Sequence, residues 1–201
     1  QFDMTSNDED LGSFIKEIAK EQTGYYVDVF RSRKERGGDK MHDYFYHNLG
    51  QTMTLTAADG TDLNLRPTEE LAFAGAHLYG YSYLYDKKVA ATGKDVKATF
   101  TIDMKDKGGD DIVMNLWMKG ETDREVFTAL SPMTEGLSRT PGMPYNIKEQ
   151  PTLTFVARQH GEAWTRPFVA VYEPSTKKEP SAIQSVSYFD AEETVSLLYK
   201  R

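Results

Sequence analysis

From Tyr25 onward, apolar and polar side chains alternate with a period of two, which is the pattern of half-buried β-strands. Glycine-containing turn signals, such as Asp59-Gly60 and His160-Gly161, separate the alternating segments. Many short strands at this spacing are typical of an antiparallel all-β sandwich. We therefore predict a multi-stranded antiparallel β-sandwich with strands at residues 25–31, 42–48, 53–56, 79–85, 96–104, 112–118, 124–130, 152–159, 166–172, 183–189 and 194–199.

The first residues follow a different pattern. Apolar positions between Phe14 and Ala19 have helical spacing, residues 6–8 offer N-cap groups, and Gly24 is placed to end a helix. We predict one short N-terminal helix within residues 1–24, followed by a single β-sandwich domain over residues 25–201. The longest irregular stretch, residues 133–150, is typical either of a functional loop or of a crossover between sheets.

Composition narrows the class of protein. The 201 residues are 39% hydrophobic, which is enough for a buried core, and no apolar run approaches the roughly 20 residues of a membrane span. The net charge of −7 argues against a broad nucleic-acid interface, which needs clustered cations. A local patch remains the one candidate for binding polyanions, formed by Arg31, Arg33, Lys34, Arg36 and Lys40.

Two further features bear on the compartment. The chain has no cysteine, which excludes disulfides and thiolate chemistry and leaves the compartment open. It begins at Gln1 without an apolar leader, so we expect that it was processed or trimmed and that a signal peptide was removed.

The segment from His42 to Asn48 gathers the most groups able to handle protons, metal or sugar. On a strand, His42, Tyr44 and Tyr46 share one face, which can bind sugar or lend one ligand to a metal. Zinc needs three or four convergent ligands, and neighbouring strand side chains point apart, so this segment alone cannot hold it. The plainer alternative is two histidines hydrogen-bonded within a sheet.

Aromatic side chains form two more candidate sites. Tyrosines alternate through residues 79–85, so that Tyr81 and Tyr83 lie on one face of the predicted strand, where they can stack on sugar rings or pack across strands. Trp164 follows the His160-Gly161 turn, where an exposed indole suits a binding surface. We include Arg31, Tyr81, Tyr83 and Trp164 with the His42 face as candidate substrate-binding residues. No stronger catalytic motif is present, and we assign no catalytic residue.

The order of residues 26–31 (Tyr-Val-Asp-Val-Phe-Arg), a glycine turn and residues 42–47 (His-Asp-Tyr-Phe-Tyr-His) resembles the β-rich C-terminal half of the heparinase II/III-like polysaccharide lyases. The resemblance extends through residues 151–156 and 167–174. It implies a β-sandwich of the super-sandwich type from enzymes that join an α/α toroid to antiparallel sheets. Such enzymes cleave uronic-acid-containing polysaccharides by removing the C5 proton and eliminating the glycosidic oxygen across C4.

The resemblance also implies a site. A histidine in the position of His42 can be one ligand of a structural zinc whose other ligands lie upstream of this chain. We otherwise expect no cofactor. The chain has no room for a toroid, so we expect no turnover from it alone, because elimination needs a base and a group that neutralises the carboxylate.

These considerations leave three functional hypotheses. The first is a β-sandwich portion, or a stand-alone relative, of such a lyase, from a bacterial periplasmic or extracellular setting, with an acidic or neutral polysaccharide and a catalytic helical domain as partners. The second is a non-catalytic carbohydrate-binding module that uses residues 79–85, Trp164 and the cations of residues 31–40. The third is a purely structural surface or secreted protein.

Overall fold

A computed structural model describes residues 24–72, 79–134, 147, 149–189 and 194–199. Within these ranges the chain is built from antiparallel strands and short 3-10 turns, so the predicted all-β sandwich is confirmed. The predicted N-terminal helix and most of the irregular stretch 133–150 lie outside the described residues. No described helical segment has the length and apolarity of a membrane span.

The strands divide into two sheets and a hairpin. Sheet A has the order β1-β10-β7-β6-β3 and sheet B the order β2-β9-β8-β5-β4, whereas β11 and β12 pair only with each other. The strands are β1 (Tyr26–Ser32), β2 (Met41–Asn48), β3 (Thr52–Ala57), β4 (Arg66–Pro67), β5 (Tyr85–Ala91), β6 (Val96–Ile102), β7 (Ile112–Met118), β8 (Arg124–Ser131), β9 (Thr152–His160), β10 (Ala163–Thr176), β11 (Ile183–Phe189) and β12 (Thr194–Tyr199).

The main core lies between the inner faces of sheets A and B. Phe100 and Phe168 from sheet A meet Phe155 from sheet B there, and all three are fully buried. Burial of such a side chain contributes about 2–3 kcal/mol. Successive side chains of a strand point to opposite faces of the sheet, so the residues before and after each inward phenylalanine point to the outer face.

Both outer faces are covered as well. The β11–β12 hairpin packs Ile183 and Val186 on Trp117 and Val171 of sheet A. On sheet B, Leu71 and Leu84 cover Phe127 and Val156. The covering of sheet B explains why β9, which faces the main core on its other side, is buried on both faces from Leu153 to Gln159.

The strand predicted at residues 79–85 is wrong. Tyr79–Tyr83 form a 3-10 turn, and the strand begins only at Tyr85. The Leu84 amide donates to the Tyr81 carbonyl, and these two side chains, three positions apart, both pack toward sheet B. The alternating tyrosines match the sequence pattern of a strand. The observed turn instead brings the side chains of both Tyr81 and Leu84 to sheet B.

Other differences are smaller. β5 is missing from the prediction because its sequence, Tyr-Asp-Lys-Lys-Val-Ala-Ala, has little apolar content on either face. β10 is twice the predicted length because it lies between β1 and β7 within sheet A, pairing with β1 from Ala163 to Tyr172 and with β7 from Ala170 to Thr176.

Candidate functional site

The predicted site residues fall in three separate places. One group lies at the inner face of the sandwich, a second on the outer face of sheet A and a third on the outer face of sheet B. In that order, the groups are His42, Tyr44 and Tyr46; Arg31 and Trp164; and Tyr81 and Tyr83. The alternation predicts that His42, Tyr44 and Tyr46 share one face of the strand, and in the structure Tyr44 and Tyr46 pack in the main core.

Tyr44 is the centre of the inner group. Its side chain is 9% exposed, and its hydroxyl donates to Asp28 Oδ2 over 2.7 Å and is hydrogen-bonded to the Tyr172 hydroxyl. Burial, followed by these two bonds, raises the pKa of Tyr44 far above its usual range. Burial also raises the pKa of Tyr172 to about 12 and the pKa of Tyr46 above its ordinary value. The three phenols therefore stay protonated near neutral pH and do not supply a tyrosinate base.

Both ring nitrogens of His42 are hydrogen-bonded. Nδ1 lies 2.8 Å from Ser32 Oγ, and Nε2 lies 2.7 Å from Asp39 Oδ1. Among the described ranges, no three His, Asp or Glu side chains are grouped so that they could hold a metal ion. A zinc-binding role for His42 would require both an exchange of one of these bonds and further ligands. It stays a prediction.

The second group forms a cleft on the outer face of sheet A. Trp164 is 44% exposed, its carbonyl accepts a hydrogen bond from Arg31 Nη1, and the Arg33 guanidinium carbon lies 4.6 Å from its ring centroid. The β11–β12 hairpin faces it across a space of about 370 Å³. We call this space the Trp164 cleft; its lining includes Val29, Arg31, Lys119, Trp164, Val169 and Phe189.

A carboxylate fixes the start of β10, which carries Trp164. Glu162 accepts hydrogen bonds from the backbone amides of Trp164 and Thr165, at 2.5 and 2.9 Å, and from the Thr165 hydroxyl. The bonds from Thr165 are the main reason why the pKa of Glu162 lies below its ordinary value. The indole therefore projects from a strand end whose backbone is held in place.

The third group corrects the predicted tyrosine face. Tyr81 is half-buried, and its hydroxyl donates to Asp43 Oδ2, so burial and this bond raise its pKa. Tyr83 is 62% exposed and borders a cleft of about 420 Å³ together with Phe45 and His47. The two tyrosines thus differ in role, and because the segment is no strand, they do not form a flat aromatic platform.

Sequence reasoning missed several partners. It singled out neither Asp28 and Tyr172 beside Tyr44 nor Lys119 and Phe189 in the Trp164 cleft. It also named Arg31 and Trp164 as candidate binding residues without predicting that they are in contact, since they are 133 positions apart. These contacts depend on which strands are neighbours, and the alternation along one strand carries no information on that.

Comparison with known proteins gives one strong similarity. An endo-acting ulvan lyase from Formosa agariphila is 36% identical to this chain over 182 residues, which make up 88% of this chain and 21% of the lyase. No protein-family model matches the chain, and neither does a solved structure. The chain spans about a fifth of the length of that curated relative. It is therefore a relative of one part of a polysaccharide lyase.

Proposed function

We propose that this chain is a β-sandwich portion, or a stand-alone relative, of a polysaccharide lyase of the heparinase II/III-like type, and that it has no turnover of its own. The observation that carries the proposal is the match to an ulvan lyase over 88% of this chain but only 21% of the lyase. In this role the chain supports a catalytic helical region and works outside the cytoplasm, in the periplasm or the extracellular space, where polysaccharide is met.

The chemistry of the inner group supports the absence of turnover. Elimination needs a base that reaches the C5 proton and a group that neutralises the carboxylate. Tyr44 and Tyr172 are held protonated by burial, and both nitrogens of His42 are bonded to neighbouring side chains. These groups act as parts of the sandwich in this proposal.

A lyase assay tests the proposal. The purified chain is mixed with ulvan, alginate or heparin, and the absorbance of unsaturated uronide is followed, with an established lyase for each substrate as the positive control. We expect no absorbance change with the chain alone. A steady increase that disappears when Tyr44 is replaced by phenylalanine would contradict the scaffold role and would place the chemistry at the inner group.

The size of the native polypeptide is the second test. An antibody against this chain is used to probe extracts of its source cells. A band at a mass far above that of a 201-residue polypeptide would agree with the chain being a portion of a longer lyase. A band at the size of the chain would favour the stand-alone relative.

One observation favours a second candidate function, a non-catalytic carbohydrate-binding module. Trp164 is exposed beside Arg31 and Arg33 in an open cleft. Tryptophan and arginine are the residue types most often found at the centre of binding surfaces. Retardation of the chain in gels that contain glycan, without any lyase activity from the native protein of its source cells, would favour this function over the first.

A further inference from the structure

The outer face of sheet B carries a cleft of about 420 Å³ beside the 3-10 turn at Tyr79–Tyr83. We call it the Tyr83 cleft; its lining includes Phe45, His47, Gly80, Tyr81, Tyr83 and Pro132. The volume lies within the roughly 300–1,000 Å³ of small-molecule sites. The cleft is separate from the Trp164 cleft on sheet A and from the inner group around Tyr44.

Aromatic rings line much of the Tyr83 cleft. The Phe45 ring meets the Tyr81 ring edge to face, with 5.3 Å between the centroids, and its centroid lies 5.9 Å from that of the His47 ring. The Tyr83 side chain is 62% exposed, so most of its ring is open to solvent. Aromatic faces bind the C–H surface of a sugar by the same dispersion and quadrupole forces that act between aromatic side chains.

Two polar groups at the cleft keep hydrogen-bonding capacity. His47 Nδ1 lies 2.9 Å from Thr154 Oγ1, whereas His47 Nε2 and the Tyr83 hydroxyl have no hydrogen-bond partner among the described residues. Desolvation lowers the pKa of His47 below its ordinary value, so no described side chain of the lining carries a full charge near neutral pH. Uncharged donors and acceptors suit sugar hydroxyls, whereas an anion placed there would lack a charged partner.

The turn that carries Tyr83 is fixed before any ligand arrives. The Tyr81 hydroxyl donates to Asp43 Oδ2 over 2.5 Å, and Asp43 is itself paired with Arg158. The Leu84 amide donates to the Tyr81 carbonyl over 3.2 Å. Tyr83 therefore lies between two anchored residues, and groups that are held before binding lose little entropy when a ligand arrives.

Gly80 leaves room in the cleft. It belongs to the lining, and a Cβ at this position would meet nothing within 4 Å. Gly80 is not among the glycines with positive φ, so its backbone conformation is one that other residues adopt. A larger side chain at this position would therefore fill the cleft without straining the turn.

We propose that the Tyr83 cleft binds one uncharged sugar unit of a polysaccharide, with the C–H face of the sugar against the Tyr83 ring and a sugar hydroxyl at His47 Nε2. This inference rests on the proposed polysaccharide-related function, which the match to an ulvan lyase supports, and gives that function a place and a ligand class. Binding at this cleft holds the chain on the polysaccharide and breaks no bond.

Affinity electrophoresis tests the ligand class. The chain is run in gels that contain a neutral polysaccharide, namely dextran, galactomannan or laminarin. Parallel gels contain alginate, in which every sugar unit carries a carboxylate, or dextran sulfate. We expect retardation by at least one neutral polymer and none by the two anionic polymers, because the lining offers rings and uncharged polar groups.

Variants assign the binding to the cleft. Tyr83→Ala should weaken binding by about tenfold or more because the stacking face is lost, whereas Tyr83→Phe should keep most of the affinity. Gly80→Leu should weaken binding by a similar factor because its side chain occupies the cleft. Tyr26→Ala is the matched control, since Tyr26 is 71% exposed and lies on β1 of sheet A. Thermal unfolding verifies that each variant is folded.

Three outcomes would show that the cleft is the wrong site. In the first, Tyr83→Ala and Gly80→Leu bind as well as the wild type. In the second, Tyr26→Ala weakens binding as much as Tyr83→Ala, so that any exposed ring contributes. In the third, the wild type associates with itself in sedimentation experiments and Tyr83→Ala abolishes this, so that the cleft is a contact between copies. The polysaccharide function stands in all three.

The ligand class has its own contrary outcomes. Retardation of the wild type by alginate or dextran sulfate alone would mean that the ligand is an anion, and the inference would fail. It would also fail if no polymer retards the wild type. In either case the lyase assay on the native protein of its source cells still decides the proposed function.

Discussion

Asp43 on β2 and Arg158 on β9 form a two-point ion pair on the outer face of sheet B. Arg158 Nε donates to Asp43 Oδ1 over 2.7 Å, and Nη2 donates to Oδ2 over 2.8 Å. The Asp43 side chain is only 6% exposed and the Arg158 side chain 9%. The Tyr81 hydroxyl also donates to the Asp43 carboxylate. The pair therefore ties β2, β9 and the turn at residues 79–83 together.

Removal of one partner of this pair should be costly. Asp43→Ala leaves the Arg158 guanidinium and the Tyr81 hydroxyl without their acceptor in a nearly closed environment, and we expect a loss of about 3 kcal/mol in the free energy of unfolding. Urea denaturation measures it. The matched control is Glu70→Ala, because Glu70 is half-exposed and lies 3.7 Å from Arg158. We expect the control to lose less than about 1 kcal/mol. Equal losses for both variants would contradict this account.

Gly120 closes the turn between β7 and β8 where no side chain fits. A Cβ there would lie 2.6 Å from the Asp95 backbone nitrogen and closer still to Gly93 and Lys94. Backbone atoms cannot rotate away, so Gly120→Ala should lower the free energy of unfolding by about 3 kcal/mol. Gly80→Ala is the control, since a Cβ at Gly80 meets nothing within 4 Å. A similar urea midpoint for the two variants would show that the turn can relax.

The strands were the predictable part of this fold. The alternation located β7, β11 and β12 at their observed bounds, and it placed Tyr44 and Tyr46 on one face. The physical reason is that a half-buried strand must repeat every two residues to keep one face apolar. The alternation failed at residues 79–85, where tyrosine can serve on either side of a strand or in a turn.

The site was less predictable than the strands. Trp164 and Arg31 were each chosen for their chemistry, but their contact depends on the pairing of β1 with β10, in which Ser32 lies opposite Ala163. A register shift between Phe30 and Ser32 interrupts that pairing just where Arg31 lies. Such irregularities and long-range pairings are set by the packing of the whole sandwich, so a local pattern does not reveal them.

Tyr188 and Tyr44 should respond in opposite ways to the same substitution. The Tyr188 hydroxyl is buried without a hydrogen-bond partner among the described residues, whereas the Tyr44 hydroxyl is bonded to Asp28 and Tyr172. Tyr188→Phe removes an unsatisfied polar group and should leave stability unchanged or raise it by about 1 kcal/mol. Tyr44→Phe should lower it by about 1.5–3 kcal/mol, because a bond to a charged group is lost. Urea denaturation of both variants tests the contrast, and a marked loss in Tyr188→Phe would contradict it.

His47 should make the chain less stable in mild acid. Its Nδ1 lies 2.9 Å from Thr154 Oγ1, and desolvation lowers its pKa below the ordinary value of about 6.5. The unfolded chain then binds the proton more readily than the folded chain, so this contribution to stability is complete above about pH 6.5 and is lost as the pH falls through the folded pKa.

The His47→Gln variant isolates this effect, because glutamine can still bond to Thr154 but does not titrate in this range. The urea midpoints of wild type and variant are compared at about pH 7.5 and about pH 5.5. Wild type and variant differ only at residue 47, so the contributions of all other groups are common to both proteins and cancel in the comparison. We expect the wild type to lose more stability than the variant on acidification. An equal loss would mean that the folded structure does not disfavour protonation of His47.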